Sequence, residues 1–407
     1  MPDRARVVDL ELSRPIDAID AEVAGIKYSR AWIMLRMHRV PVGILRLEFP
    51  ASGTLEPSEI EAAAQEQFGD AISAQENAAR SAPVGTYPTP PITVVICTRD
   101  RPRPLERTLA SLRALEYPDF RVLVVDNAPT DDATAKVVDA ARDALDIDYL
   151  VIGEPGLSRA RNAAIAARPG EILAWTDDDV TVDPVWLAEA GRALAAHPNA
   201  SVVCGAVVPA VLDTPEQIWF EEFGGLVKGR GFIPAVFDAS TRRTQSPLYP
   251  LPPFGAGANM IIRPGVLAAI GGFDNALGAG TPASAGEDTL AFTELLLRGH
   301  TIVYHPAALV HHTHRSDLTG LVAQLTGYGT GITAFYTALV LRRPWLLFRL
   351  VGMAPGALWD ILARRGKRAA DIPDDFPPAL LRAGRRGMLR GPAAYVRGRL
   401  TQDDRSS

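Results

Sequence analysis

Glu171-Ile-Leu-Ala-Trp-Thr-Asp-Asp-Asp179 decides how this chain is read. Its first half is a short apolar run followed by a turn and a new helix, the pattern of a buried strand. Its second half sets three carboxylates side by side, each raising the cost of ionising the others. A divalent cation would relieve that repulsion, since Mg²⁺ is held by one or two carboxylates together with substrate phosphates. A solvated, acidic helix N-terminus beginning near Pro184 is the alternative this segment leaves open.

Working outward, the same texture repeats. Strand-like runs at Ile92–Cys97, Arg121–Asp126, Tyr149–Ile152 and Ser201–Val208 alternate with helical patterns at Pro104–Leu115, Asp131–Leu145, Leu157–Arg168 and Pro184–His197. Such alternation predicts βαβ units and a mostly parallel sheet covered on both faces. Ligands of these sheets bind beyond the carboxyl ends of the strands. Polar clusters fall there repeatedly: Thr98-Arg99-Asp100, Asp126-Asn127 and Asp177-Asp178-Asp179. No GxGxxG follows the first strand, which argues against a dinucleotide-binding domain.

The chain has 407 residues, 47% of them hydrophobic, enough for a large core and more than one domain. Four regions are expected: an N-terminal α+β region (1–82), a Pro-rich linker (83–91), the main α/β domain (92–315) and a helical, basic C-terminal region (316–407). A net charge of -5 and a pI near 5.9 argue against a nucleic-acid partner. Cys97 and Cys204 sit in apolar strand-like runs and read as core. The charged N-terminus lacks an apolar signal core, so a cytoplasmic location is expected.

Leu318–Leu341 carries no formal charge but is rich in Gly and Thr, a poor membrane span. After it, Trp345 and Phe348 stand beside arginines. This suits a helix lying in a membrane interface, peripheral on the inner face, and equally an amphipathic helix covering the main domain.

Seven motifs in order carry a family resemblance. They are Val94-Val-Ile-Cys-Thr-Arg99, Val124-Val-Asp-Asn-Ala-Pro-Thr-Asp-Asp132, Gly156-Leu-Ser-Arg-Ala-Arg-Asn162 and Asp177-Asp-Asp179, then Phe254-Gly-Ala-Gly-Ala-Asn-Met-Ile-Ile-Arg-Pro264, Gly271-Gly-Phe-Asp274 and Gly286-Glu-Asp288. Together, over roughly 92–315, they resemble family 2 glycosyltransferases. The resemblance implies a GT-A (Rossmann-like) fold and an inverting transfer of sugar from a nucleotide-diphospho-sugar donor to an acceptor hydroxyl. The expected setting is glycan, glycolipid or glycoconjugate (polysaccharide) biosynthesis; an interfacial basic tail would suit a lipid-linked glycan acceptor, and a soluble acceptor fits as well. By the same resemblance Thr98, Arg99 and Asp126 hold base and ribose, Arg161 faces the pyrophosphate, and Asp177 contacts the sugar nucleotide. Asp179 coordinates Mg²⁺ or Mn²⁺, and Asp288 is the general base.

The residues add their own weight. A planar, permanently charged guanidinium suits a diphosphate. The alternative for Asp126 is to cap the next loop as an Asx turn, and Asp288 could cap the helix it opens. Glu287 is the alternative base. Among His311-His312-Thr313-His314, the first is expected to assist the metal; zinc held by these three alone lacks a completing Cys or His. Trp219, Phe220, Phe223 and Tyr249 either stack on an acceptor sugar or form a lid's own core.

Two further classes compete with the transferase. A nucleotidyltransferase would need a lysine-rich phosphate cradle near the first strand, and no lysine lies between Lys27 and Lys136. A catalytically silent sugar-nucleotide-binding protein would have little use for both Asp179 and Asp288.

Overall fold

The computed structural model describes residues 4–81, 89–226, 230–240, 248–249, 251–362 and 376–406. Most of the stretch read as a linker (83–91), and part of the basic C-terminal region, lie outside these residues.

The N-terminal region builds a small sheet of its own. β1 (Ala5–Glu11) pairs parallel to β2 (Arg30–Met37), and β2 pairs antiparallel to β3 (Val40–Glu48). One face is closed by α1 (Pro57–Ser81), whose Ile60, Ala64 and Ile72 meet Ile33, Leu35 and Leu45. The other face presents Trp32 and Met34 to the core of the main sheet. Arg36 fixes the junction: its buried guanidinium donates to Asp9 on β1 and, at 2.6 Å, to Asp183, four residues past Asp179.

The main chain pattern then runs β4 (Ile92–Thr98), α2 (Pro102–Leu112), β5 (Phe120–Asn127), α3 (Ala133–Ala141), β6 (Ile147–Ile152), α4 (Leu157–Ala167) and β7 (Ile172–Asp177). A short β8 (Val180–Val182), α5 (Trp186–Ala196), β9 (Ala200–Cys204), β10 (Val207–Pro209), α6 (Pro215–Glu222), β11 (Ala235–Phe237) and β12 (Asn259–Ile262) follow. The series closes with α7 (Glu287–Leu297), β13 (Thr301–Tyr304), β14 (Val310–His312), α8 (Leu318–Arg342), α9 (Leu346–Leu362) and α10 (Pro378–Ser406).

The large sheet has the order β6-β5-β4-β7-β12-β9-β13-β11. Its first four strands run parallel, as the alternation predicted, and β12 enters antiparallel between β7 and β9. Helices cover both faces, so Val94, Val95 and Ile96 are all buried although their side chains alternate sides. α2 illustrates the packing. Proline opens it, where no intrahelical N–H is needed. Leu105, Leu109 and Leu112 then recur on one face and contribute about 1.5–3 kcal/mol each by burial.

The run read as one strand, Ser201–Val208, is two. The chain turns at Gly205 and Ala206, and β10 joins a second sheet of order β8-β14-β10. Gly205 permits this because a Cβ there would strike the Ala308 carbonyl. Asn259 locks the turn by donating to the carbonyls of Ala206 and Ala308, both at 2.8 Å.

The uncharged stretch forms a single helix, α8, begun by the Asp317 carboxylate accepting from Gly320 N at 2.8 Å. Small residues bring α8 and α10 into backbone contact: a Cβ on Gly329 or Gly387 would meet a carbonyl of the facing helix. The pair is tied to the main domain through Asp274, which accepts from Arg342 at 2.9 Å and Tyr395 at 2.8 Å. No helix among the described residues is long and apolar enough to cross a membrane.

Candidate active site

Three strand ends meet at one edge of the sheet. Thr98 pairs in register with Asp126, and Asp177 with Cys97, which lines up the polar residues that close β4, β5 and β7.

The three carboxylates divide their contacts. Asp178 turns inward, accepting from Thr98 Oγ1 at 2.6 Å and from Arg101, while Thr108 donates to its carbonyl at 2.8 Å. Burial pushes its carboxyl up to about 7, against the pull of Arg101. Asp179 accepts from Arg101 Nη2 at 2.7 Å and lies 3.2 Å from His312 Nε2. Burial opposes its ionisation, yet His312 and Arg101 together hold it well below the ordinary carboxylate range. His312 responds in the opposite sense: despite burial, Asp179 raises it. Asp177 remains partly open, and burial raises it in spite of Arg161.

Asp177, Asp179 and His312 therefore converge, with one donor atom from each lying within 4.8 Å of the others. Two hard oxygen donors with one imidazole fit Mg²⁺ or Mn²⁺. The expected histidine was His311, and the structure places it elsewhere. Successive strand residues point to opposite faces, so His311 turns from β14 toward Asp9 and Asp183. There the buried Arg36 already supplies the cation.

Asp126 is fully buried at the end of β5. Tyr149 donates to Oδ2 at 2.6 Å, whereas the buried Oδ1 has no hydrogen-bond partner among the described residues. Burial raises this carboxyl, against the pull of Tyr149 and of the neighbouring Thr134 hydroxyl. A buried carboxylate oxygen without a hydrogen-bond partner at a strand end suits a ligand donor. Thr98 is buried with its hydroxyl given to Asp178, and Arg99 is half exposed, 3.7 Å from Asp100. The loop they belong to is fixed by Asp100, in a left-handed conformation (φ 52°), accepting from Thr130 N at 2.8 Å.

Arg161 is more enclosed than a free phosphate ligand would be. From α4 it donates to Glu287 at 2.9 Å and Gly257 O at 3.2 Å, lies 3.9 Å from Asp177, and stacks 5.2 Å from the Phe273 ring. It thereby links the metal-side aspartate to the acidic pair opening α7. Gly286 is the cap of α7 and offers no side chain, so Asp288 is not the cap but lies in the first turn. Its Oδ2 accepts from Gly257 N at 2.8 Å and Oδ1 from Thr289 N at 2.6 Å. Gly257 has room for no side chain, since a Cβ would come 2.8 Å from Arg161 Nη2. Burial and the adjacent Asp288 push Glu287 upward, and its carboxylate is committed to Arg161.

Arg101 was missed from the sequence. Arg101 precedes α2 and reaches residues almost eighty positions away. Of the aromatic candidates, Trp219 and Phe220 are buried, Phe223 stacks on Phe376 with centroids 5.8 Å apart, and Tyr249 falls in a sparsely described stretch. The first three belong to the protein's own core. Arg159 pairs with Glu154 at 2.7 Å.

Residues 93–271, which carry Thr98, Asp126, Arg161 and the Asp177–Asp179 cluster, match the family model described as "Glycosyl transferase family 2". Over that span the chain carries a family 2 glycosyltransferase domain. Among curated proteins, it is 27% identical over 257 residues to the pre-mycofactocin glycosyltransferase of Mycobacterium tuberculosis, covering 60% of this chain and 48% of that protein. It is 31% identical over 227 residues to the succinoglycan biosynthesis protein ExoM of Rhizobium meliloti, covering 54% and 66%. The chain thus spans about half the length of the mycobacterial relative. Among solved structures, the mannosyltransferase PcManGT of Pyrobaculum calidifontis, in complex with GDP-Man and Mn²⁺, superposes with a TM-score of 0.46 at 20% identity over 84% of both chains. Beyond the matched span, Phe273 stacks on Arg161, Glu287 accepts from Arg161, and Asp288 accepts from Gly257 N.

Proposed function

We propose that the chain is an inverting, metal-dependent glycosyltransferase that moves a sugar from a nucleotide-diphospho-sugar to an acceptor hydroxyl, in glycan, glycolipid or glycoconjugate biosynthesis. The observation that carries this reading is the hub at Arg161, which joins the Asp177–Asp179–His312 cluster to Asp288 through Glu287 and Gly257. A cation site and a base joined through one buried guanidinium suit the two ends of a displacement.

Each residue has a part. Asp126, with its unmatched Oδ1, accepts from the base or ribose, and Thr98 and Arg99 frame the same edge. Asp177, Asp179 and His312 hold Mg²⁺ or Mn²⁺, which when bound neutralises charge gathering on the departing diphosphate. Arg161, enclosed as it is, fixes Asp177 and Glu287 and adds positive charge behind the diphosphate. Asp288 takes the proton of the acceptor hydroxyl as its oxygen attacks the anomeric carbon from the face opposite the diphosphate. Asp288 is preferred to Glu287 because Glu287 is buried and bound to Arg161. Transfer assays with UDP-, GDP- and dTDP-sugars, with and without Mn²⁺, test the reading. Metal-dependent transfer from one of them is expected, and nucleotidyl transfer in its place would contradict it.

A second part of the proposal concerns where the chain works. Trp345, Phe348, Val351 and Trp359 on and beside α9 are more than half exposed, and Leu389 and Leu400 on α10 likewise. Exposed Arg349, Arg386, Arg390 and Arg397 stand among them. Apolar residues interleaved with cations suit an anionic lipid surface on the cytoplasmic face. Point variants test this better than truncation, which would strip Phe335 and Tyr395 from a shared core. Phosphatidylglycerol vesicles should retain the wild type and release Trp345→Ser/Phe348→Ser. Equal retention of both would contradict the membrane reading.

A further inference from the structure

His312 does not end its contacts at Asp179. Its other ring nitrogen, Nδ1, lies 3.0 Å from His314 Nδ1, and His314 Nε2 lies 2.7 Å from Glu221 Oε1 on α6. The chain Asp179–His312–His314–Glu221 is enclosed: the His314 side chain has no exposed surface, and the Phe220 ring meets its edge at 4.7 Å. α6 is itself firmly placed. Thr214 and Gln217 form a reciprocal cap at its start, and Gln217 Nε2 donates to the His314 carbonyl at 3.2 Å.

The hydrogen bonds of this chain run in one direction. Two facing Nδ1 atoms share a single hydrogen. A carboxylate only accepts, so His314 carries its hydrogen on Nε2, toward Glu221, and Nδ1 is left as the acceptor. The shared hydrogen then belongs to His312 Nδ1. A neutral ring with its hydrogen at Nδ1 has its lone pair at Nε2, the nitrogen facing Asp177 and Asp179. Metal-bound histidines generally donate their second N–H to an oxygen. Here the acceptor is another imidazole, a weak guide unless that ring is fixed in turn, and Glu221 fixes it.

We propose that His314 and Glu221 are positioning residues for the divalent cation, holding His312 in the tautomer and ring orientation that leave Nε2 bare. The inference rests on reading Asp177, Asp179 and His312 as the cation site. Nothing in the local sequence announces it, because Glu221 lies 93 residues from His314.

The test is Mn²⁺ binding to the full chain without donor, followed by the electron paramagnetic resonance of free Mn²⁺. Glu221→Leu should weaken binding roughly 10–100-fold. Glu221→Gln, whose amide oxygen accepts the same hydrogen, should stay near wild type. His314→Phe, which keeps a ring but removes the acceptor, should repeat the loss and serves if Glu221→Leu fails to fold. Wild-type affinity in both folded disrupting variants would overturn the relay. If the wild type binds no Mn²⁺, or Asp179→Asn binds it equally well, the cation reading itself falls, and the relay with it.

Discussion

Asp288→Asn is expected to bind nucleotide-diphospho-sugar as tightly as the wild type and to transfer sugar roughly 10²–10⁴-fold more slowly, the range a positioned general base supplies. The substitution preserves shape and leaves an acceptor oxygen for Gly257 N or Thr289 N, so the loop should hold. What it removes is basicity at one atom. The split is diagnostic: equilibrium binding reports the intact donor site, and single-turnover transfer reports the missing base. Near wild-type transfer would move the role to another group. Glu287 is the neighbouring carboxylate, but removing it leaves the buried Arg161 without its main partner, a change that costs about 3–5 kcal/mol of stability. Loss of activity in a Glu287 variant would therefore say little about bases.

Asp179→Ala is expected to fail one step earlier. It removes an oxygen donor from the cation site and leaves Arg101 and His312 facing each other across a buried gap. Mn²⁺-dependent donor binding should weaken by more than about 100-fold, beyond the effect of losing a supporting residue. Binding that does not depend on metal should survive through Asp126. Calorimetric titration of nucleoside diphosphate with and without Mn²⁺ separates these, and an unchanged metal dependence would remove Asp179 from the site. Asp179→Asn controls for packing, since it fills the same space.

Much of this centre was legible before the structure. Strand–helix alternation is a local pattern, so β4 to β7 and the helices between them fall within a few residues of expectation. The polar residues ending those strands had to share an edge, because parallel strands in register bring their carboxyl ends together. What escaped was set by partners far away. His311 and His312 differ only in which side of β14 they face, and that depends on β8 and β10 pairing on either side of it. Arg101 looked like one more charge before a proline; its worth comes from Asp178 and Asp179, 77 and 78 residues on. The split of Ser201–Val208 rests on a carbonyl at Ala308. β2 escaped for a different reason. It is buried nearly throughout, covered by α1 on one face and the main domain on the other, so no alternation marks it.

The N-terminal sheet gains a purpose in this arrangement. Arg36 bridges it to Asp183, and Arg39 grips Glu116 with two hydrogen bonds of 2.8 and 2.9 Å. Both anchors lie just past the acidic cluster, at Asp183 itself and at Glu116, whose N–H donates to Pro184 O. On the other side, α8 packs against the base loop: Gly331 touches Ala285 and Gly286 so closely that a Cβ on either glycine would collide. Accessory elements thus hold both halves of the proposed centre.

The central claim is that Asp288 and the Asp177–Asp179–His312 cluster act together on opposite ends of one displacement. The anomeric configuration of the first product tests it most directly, followed by proton nuclear magnetic resonance in the transfer assay as turnover begins. An α-linked donor is predicted to give a β-linked product, with the signal absent in Asp288→Asn. An α-linked first product would contradict the account.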